Sequence, residues 1–83
     1  MKIVAIGDRA ILEPILADPN PLALYERPLT REAIVREVGA DVREIAVGDR
    51  VRYEATEKGH WIKLNGIEHL VLSEQYIEGI LYE

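Results

Sequence analysis

The dipeptide Asn65-Gly66 stands between two apolar runs, residues 61–64 (Trp-Ile-Lys-Leu) and residues 67–72 (Ile-Glu-His-Leu-Val-Leu). A two-residue type I′ turn needs positive φ at both central residues, and Asn followed by Gly meets this requirement well. The flanking runs carry the aliphatic and aromatic side chains that are enriched in strands. The sequence therefore predicts an antiparallel β-hairpin in this half of the chain.

Similar signals occur on both sides of this hairpin. Val47 leads into a turn at Gly48-Asp49, and Val51 and Tyr53 then alternate with arginines as in a half-buried strand. Residues 73–76 are predicted to form a single turn, and residues 77–82 a final strand. Near the start, residues 10–16 are predicted to form an apolar strand that contains Pro14. Because proline donates no ladder hydrogen bond, this strand should lie at a sheet edge or break at Pro14.

Residues 30–39 allow two interpretations. Thr30 could cap a helix, Gly39 could end it, and Ile34, Val35 and Val38 would share one helical face. The same residues could form a strand, which their β-branched side chains favour. We favour the strand.

The size and composition of the chain indicate that it forms an oligomer. With 83 residues it is one domain at most, and a domain this small buries only about 60% of its unfolded surface. It has no cysteine, hence no disulfide or thiolate metal site, yet 48% of its residues are apolar. Contacts between subunits are the remaining way to stabilise so small a core.

Charge and hydropathy exclude two classes of partner. The net charge is −5, with acidic and basic residues interspersed, whereas nucleic-acid-binding proteins usually carry a basic surplus. No apolar run approaches the roughly 20 residues that span a bilayer, and no leader pattern opens the chain. We therefore expect a cytoplasmic protein that binds neither nucleic acid nor membranes.

The sequence does not predict an enzyme. Ser73 is the only serine, the two histidines are His60 and His69, and the six glycines are isolated rather than grouped in a phosphate-binding loop. The histidines flank the predicted hairpin and could approach each other, but both are more typical of surface or half-buried strand positions. Trp61 is interpreted as a packing residue. We predict no catalytic residue, no metal site and no cofactor.

Several segments, taken in order, resemble the GroES co-chaperonin family. They are residues 2–14, in which a short apolar strand leads to Asp8-Arg9; residues 33–39, which end in Val-Gly; and residues 47–82, with the two strand-and-turn units described above. The resemblance implies an all-β, small, partly open barrel that forms a single GroES-like domain over residues 1–83. It also implies a homo-oligomeric ring, a heptamer in that family.

In that family a mobile loop, with a glycine followed by three aliphatic residues, docks on the large chaperonin. Residues 17–30 hold three of the four prolines and occupy the corresponding place. Pro21 replaces the glycine, and the resemblance implies partner binding by Leu22, Ala23 and Leu24. The alternative is that these leucines pack on the barrel. Residues 40–44 are too short for the hairpin that roofs the family's dome.

The resemblance thus predicts a co-chaperonin that caps a GroEL-like chaperonin and assists ATP-dependent folding of unfolded proteins. In the family, one subunit's first strand pairs with the next subunit's last strand. The oligomer interface predicted on this basis consists of Ile3, Val4, Ile6, Ile80, Leu81 and Tyr82. Two alternatives remain open: a structural GroES-fold ring that has lost chaperonin binding, and a monomeric ligand-binding barrel.

Overall fold

The computed structural model describes residues 3–15, 31–54 and 59–82. Within them lie six strands and one short 3₁₀ helix: β1 (Arg9–Pro14), β2 (Glu32–Val38), β3 (Arg50–Tyr53), β4 (His60–Leu64), β5 (Ile67–Ser73), the 3₁₀ helix Glu74–Tyr76 and β6 (Ile77–Ile80). The predicted partner-binding residues Leu22, Ala23 and Leu24 lie outside the described residues. No α-helix, and no helix able to cross a membrane, occurs in the described part of the chain.

The six strands form one antiparallel sheet in the order β4-β5-β1-β2-β3-β6. Strands β4 and β6 are its two edges. The pairing is irregular between Ile11 and Leu12 on β1 and again between Arg52 and Tyr53 on β3. Such irregularities bend strands and increase their twist. The prediction of an all-β, partly open GroES-like barrel is confirmed.

The core lies on one face of this curved sheet. Alternate residues of a strand point to opposite faces, and the inward set is fully buried. Its members are Ala10, Leu12, Ala33, Val35, Val51, Tyr53, Leu70 and Leu72, joined by Ile45 from the connection between β2 and β3. Trp61 and Tyr76 pack against this cluster at its margin. The prediction that Trp61 is a packing residue agrees with this position.

The hairpin at Asn65-Gly66 is confirmed. Asn65 has a φ of 52° and Gly66 a φ of 81°, so both central residues are in the left-handed region that a type I′ turn requires. Strands β4 and β5 are paired in register on either side, from Leu64 opposite Ile67 to His60 opposite Val71. The local turn chemistry is sufficient to explain this element.

Residues 32–38 form strand β2 and not a helix, which confirms the interpretation that we favoured. Ala33 and Val35 face the core, whereas Glu32 and Ile34 are only half-buried. A helix would have placed Ile34, Val35 and Val38 on one face. Pairing with β1 on one side and β3 on the other decides between the two interpretations, because both ladders satisfy the backbone of β2.

Strand β1 ends at Pro14, as one of the two predicted alternatives requires, and it lies inside the sheet between β5 and β2. Residues 3–6, predicted as a first strand that pairs with another subunit, pair with no strand among the described residues. The predicted end of the final strand needs correction. Strand β6 stops at Ile80, so Leu81 and Tyr82 lie beyond it.

Candidate interaction surface at the two chain ends

The first described residues, 3–6, belong to no helix or strand, and we call them the N-terminal segment. Its side chains remain largely uncovered: Ile3 is 38% exposed, Val4 65% and Ile6 81%, whereas Ala5 is half-buried. Among the hydrogen bonds between described residues, none involves the backbone of residues 3–5; the carbonyl of Ile6 accepts one from the N–H of Arg9. Residues 3–5 therefore combine apolar side chains with a backbone that forms no hydrogen bond to another described residue.

The N-terminal segment lies against the face of β1 and β5 that points away from the core. Ile11 is on this outer face, between the inward residues Ala10 and Leu12, and yet it is only 1% exposed. A cavity of about 190 Å³ is bordered by residues 3–6, Ile11 and Val71. A second cavity, of about 370 Å³, is bordered by Ile3 and Ile11 together with residues of the β4–β5 hairpin. The segment thus covers a second, smaller apolar area.

The other chain end runs along the open edge of the sheet at β6. Ile80 is half-buried, Leu81 is 38% exposed and Tyr82 is 85% exposed. The Leu81 N–H donates to the carbonyl of Arg50 at 2.7 Å, so the chain still follows β3 one residue past the strand. Beside it lies a groove of about 300 Å³, which we call the acidic groove. Its lining residues are Glu44, Ile45, Glu74, Ile77, Glu78, Gly79, Ile80 and Tyr82.

The fold keeps the two ends of one subunit apart. The N-terminal segment lies on β1 and β5, and β2 and β3 separate β1 from β6 in the sheet. Neighbouring strands are about 4.8 Å apart, so the two ends are separated by roughly three strand spacings. The predicted interface residues are therefore present on the surface, but as two distinct patches.

Glu74 ties the acidic groove to the short connection between β2 and β3. Its carboxylate accepts hydrogen bonds from the backbone N–H groups of Arg43, at 3.1 Å to each oxygen, and of Glu44, at 2.7 Å. Its own N–H donates to the carbonyl of Asp8 at 2.8 Å. One side chain thus fixes residues 43–44, in the segment predicted to be too short for a roof hairpin. The sequence analysis missed this role, because nothing local distinguishes Glu74 from the other acidic residues.

Two aspartates stabilise turns near these surfaces. The carboxylate of Asp49 accepts a hydrogen bond from the N–H of Ala46 at 2.9 Å, which closes the turn before β3. That of Asp8 instead accepts from the hydroxyl of Ser73 at 2.6 Å. Neither carboxylate forms a catalytic triad with a nucleophile and a histidine. Both instead hold the local backbone in place.

Behind the N-terminal segment, His69 forms a small polar cluster with Glu13 and Arg36. His69 is 7% exposed, and its Nδ1 lies 2.9 Å from the carbonyl oxygen of Ile67. Its Nε2 is 3.7 Å from Oε1 of Glu13, which also accepts a hydrogen bond from Nε of Arg36 at 3.3 Å. Sequence reasoning placed His69 at the surface or half-buried. It is more buried than that, because β4 and the N-terminal side of the barrel flank this outer face.

Tyr53 carries the buried side-chain polar atom that lacks a hydrogen-bond partner among the described residues. Burial raises the pKa of its hydroxyl above the ordinary value, and the charge of Arg31 partly offsets this rise. Arg31 has a φ of 58° and donates from its guanidinium to the carbonyl of Glu54. A buried hydroxyl without a partner costs stability, and its raised pKa follows from this burial.

The described residues contain no arrangement that suggests bond-breaking chemistry. His60 is exposed and pairs in register with Val71, while His69 pairs with Ile62, so the histidines are two positions apart along the hairpin. No group of three or more His, Cys, Asp or Glu side chains within residues 3–15, 31–54 and 59–82 could hold a metal ion. Within the described residues, the surface does offer exposed apolar side chains and, at β6, a sheet edge with no further strand beside it, and these suit protein–protein contact.

Comparison with known proteins agrees with this architecture. No protein-family model matches the chain. A curated protein, co-chaperonin GroES of Thermodesulfovibrio yellowstonii, is 30% identical over 87 aligned positions, which cover 98% of this chain and 98% of that protein. The match thus covers nearly the whole length of both chains. On this full-length similarity and the six-stranded antiparallel sheet, the chain belongs to the GroES family.

Proposed function

We propose that this protein is a co-chaperonin that forms a homo-oligomeric ring, caps a GroEL-like large chaperonin and thereby assists ATP-dependent protein folding. The observation that carries the proposal is the full-length similarity to a protein named co-chaperonin GroES. Nucleotide binding and hydrolysis belong to the large chaperonin in this proposal. The small chain contributes a closed lid and the loops that attach it.

The ring is built through the two chain ends. The N-terminal segment has an unpaired backbone, and β6 is an open edge of the sheet, so one can add to the other as an extra strand. Because the two patches lie apart on one subunit, such pairing joins different copies. A contact of this head-to-tail kind closes into a ring when the rotation is suitable, and we propose the seven subunits typical of the family.

Charge supports the same pairing. Three carboxylates, those of Glu44, Glu74 and Glu78, line the groove beside β6. In the sequence, Lys2 directly precedes the N-terminal segment. A basic residue followed by four aliphatic residues is complementary to an acidic groove that also contains isoleucines and a tyrosine. The proposed occupant of the acidic groove is therefore the start of a second copy of this chain.

Attachment to the chaperonin is assigned to Leu22, Ala23 and Leu24, which lie outside the described residues. In an extended loop, Leu22 and Leu24 point to the same side and can enter one apolar groove. Burial of each leucine stabilises the complex by about 1.5–3 kcal/mol, and ordering the loop costs roughly 2–5 kcal/mol. A single loop then binds weakly, whereas several loops on one ring bind as a multivalent set.

The test is a double substitution, Leu22→Ala with Leu24→Ala. We expect it to abolish co-sedimentation with a purified GroEL-type chaperonin ring in the presence of ATP, because the small loss per loop is multiplied over the ring. The melting temperature and the oligomeric state should stay as in the wild type. The measurement is capture by the chaperonin ring, with calorimetry and sedimentation on the same samples.

A matched control removes equivalent aliphatic surface elsewhere. Val47 is 60% exposed and Ile67 is 51% exposed, so Val47→Ala with Ile67→Ala should leave capture unchanged. If the Leu22 and Leu24 variant instead lost several kcal/mol of stability and was still captured, these leucines would be core residues. The protein would then be a structural GroES-fold ring. A wild-type monomer that binds a small ligand would favour the ligand-binding barrel.

A further inference from the structure

The turn between β4 and β5 places an asparagine side chain next to a backbone nitrogen in open surroundings. Asn65 and Gly66 are both exposed. No hydrogen bond between described residues uses the N–H of Gly66, and a Cβ built on Gly66 would have no atom within 4 Å apart from those of its chain neighbours. An asparagine Cγ and the next backbone nitrogen can close a succinimide ring, and glycine hinders this approach least because it has no Cβ. The two reacting groups are thus both accessible to solvent.

The other side-chain amides of the sequence lack this combination. They are Asn20 and Gln75. Asn20 is followed by Pro21, and the proline nitrogen carries no hydrogen that ring closure could replace. Gln75 would have to form the larger glutarimide ring, and it lies within the 3₁₀ helix Glu74–Tyr76, which fixes its backbone. Asn65 is therefore the amide at which ring closure is most favoured.

The folded turn slows ring closure without preventing it. Asn65 and Gly66 have φ values of 52° and 81°, and the peptide plane between them must rotate out of this turn before the ring can close. The turn lies at the tip of a hairpin, and among the described strands β4 pairs with β5 alone. Opening such a tip costs less free energy than unfolding the whole domain. The reaction can therefore start from the folded protein through a local opening.

We propose that Asn65 is a site of spontaneous modification, at which the folded protein loses a side-chain amide and acquires aspartate or isoaspartate. The nitrogen of Gly66 loses its proton and bonds to Cγ of Asn65. The bond from Cγ to the amide nitrogen breaks, and the departing group takes up a proton and leaves as ammonia. Water then opens the cyclic imide: opening at Cγ gives aspartate, and opening at the main-chain carbonyl gives isoaspartate. This chemistry depends neither on the ring nor on chaperonin binding.

The two products should affect the hairpin differently. Isoaspartate adds one carbon to the backbone of a two-residue turn, whose geometry sets the pairing of Leu64 with Ile67. Trp61 of β4 packs against the core, so a disturbed hairpin also disturbs the core margin. Aspartate keeps the backbone length and adds a negative charge beside a cavity that Glu13 and Glu37 also border. Conversion should therefore lower the melting temperature, and isoaspartate should lower it more.

The test is incubation of the purified protein at neutral and mildly alkaline pH, in native buffer and in urea. Peptide mass spectrometry, with fragmentation that separates isoaspartate from aspartate, should show the mass gain of an amide-to-acid conversion at Asn65 in native buffer. The rate should rise with pH, because the attacking nitrogen must first lose its proton. Urea should accelerate the conversion about tenfold or more, since the folded turn is open for only a small fraction of the time. Asn20 should stay unchanged in every sample.

The matched variant is Asn65→Gly, because Gly-Gly also suits a type I′ turn and carries no side-chain amide. Its melting temperature should stay constant during the incubation in native buffer, while that of the wild type falls. Conversion of Asn65 in urea but not in native buffer would overturn the proposal, as would conversion of Asn20 or Gln75 at the rate of Asn65. An equal fall in melting temperature for Asn65→Gly would show that the damage lies elsewhere and overturn the predicted effect on the hairpin.

Discussion

At the scale of single residues, Tyr53 combines a stabilising buried ring with a destabilising buried hydroxyl. Its ring is among the largest fully buried side chains, and its apolar area stabilises the sheet where β3 meets the core. Its hydroxyl is buried without a hydrogen-bond partner among the described residues. A buried polar group left in this state costs about 1–3 kcal/mol, so the ring and the hydroxyl act in opposite directions.

Tyr53→Phe should therefore raise the free energy of unfolding by about 1 kcal/mol at neutral pH, since only the unpaired hydroxyl is removed. The pKa of the hydroxyl is raised by burial, so above the ordinary tyrosine pKa the unfolded state loses its proton more readily than the folded state. The stability of the wild type should then fall with rising pH more steeply than that of the variant. Urea unfolding at neutral and at alkaline pH measures both differences.

Tyr76→Phe serves as the control, because Tyr76 is half-buried at the margin of the same core. At neutral pH it should lower the free energy of unfolding or leave it unchanged, in contrast to Tyr53→Phe. A Tyr53→Phe variant less stable than the wild type by more than 1 kcal/mol would indicate that the hydroxyl is hydrogen-bonded in solution.

At the scale of elements, the structure depends on a backbone contact between two turns. A Cβ added to Gly39, just after β2, would lie 2.2 Å from the carbonyl oxygen of Gly7. The N–H of Gly39 donates a hydrogen bond to the carbonyl of Arg9 at 2.8 Å, and the N–H of Asp41 donates one to the carbonyl of Gly7 at 2.9 Å. The close approach allows both hydrogen bonds and places the N-terminal segment next to the end of β2. Only glycine fits at this position.

Gly39→Ala should lower the free energy of unfolding by about 1–3 kcal/mol, because the new methyl group meets backbone rather than a side chain that could move. Gly79→Ala is the matched control, since a Cβ there has no atom within 4 Å. Its effect should stay within about 0.5 kcal/mol. Thermal unfolding of dilute samples compares the two. Equal melting temperatures would mean that the two turns separate in solution.

At the scale of the whole molecule, the sheet edge at β6 and the exposed chain ends support the proposal that the subunit is stabilised by its neighbours. Ile3, Val4, Ile6, Leu81 and Tyr82 are exposed large apolar residues at the ends of an 83-residue chain. Scattered apolar residues on a surface need no explanation, but unpaired strand edges combined with them do. In the proposed ring, each subunit covers these groups on the next.

Stability that comes from assembly depends on protein concentration, since the associated folded state is favoured by mass action. The melting temperature of the wild type should therefore fall on dilution. Leu81→Ser with Tyr82→Ser changes residues beyond β6, so the sheet should remain intact while the dependence on concentration disappears. Calorimetry over a dilution series gives the result. A variant with the same concentration dependence as the wild type would contradict pairing through these residues.

Local chemistry was enough to predict the elements that depend on neighbours in the chain. Asn65-Gly66 specifies the hairpin through the φ values that its turn demands, and alternation of side chains indicates that Val51 and Tyr53 of β3 face the core. The β-branched residues favoured a strand at 32–38, although periodicity equally allowed a helix. These patterns involve residues one to four positions apart, so they predict secondary structure without knowledge of tertiary contacts.

The tertiary structure decided what depends on sheet order. Pro14 ends a strand inside the sheet, His69 is buried on the outer face and Glu74 binds the backbone at residues 43–44, and none of these follows from local pattern. The place of the N-terminal segment belongs to the same group, because an extended apolar run does not specify which face it will cover. The sequence by itself determined the β-class and the turns, since these depend on backbone dihedrals. Contacts between residues far apart in the chain exist only once the strands are ordered, and the tertiary structure alone supplies that order.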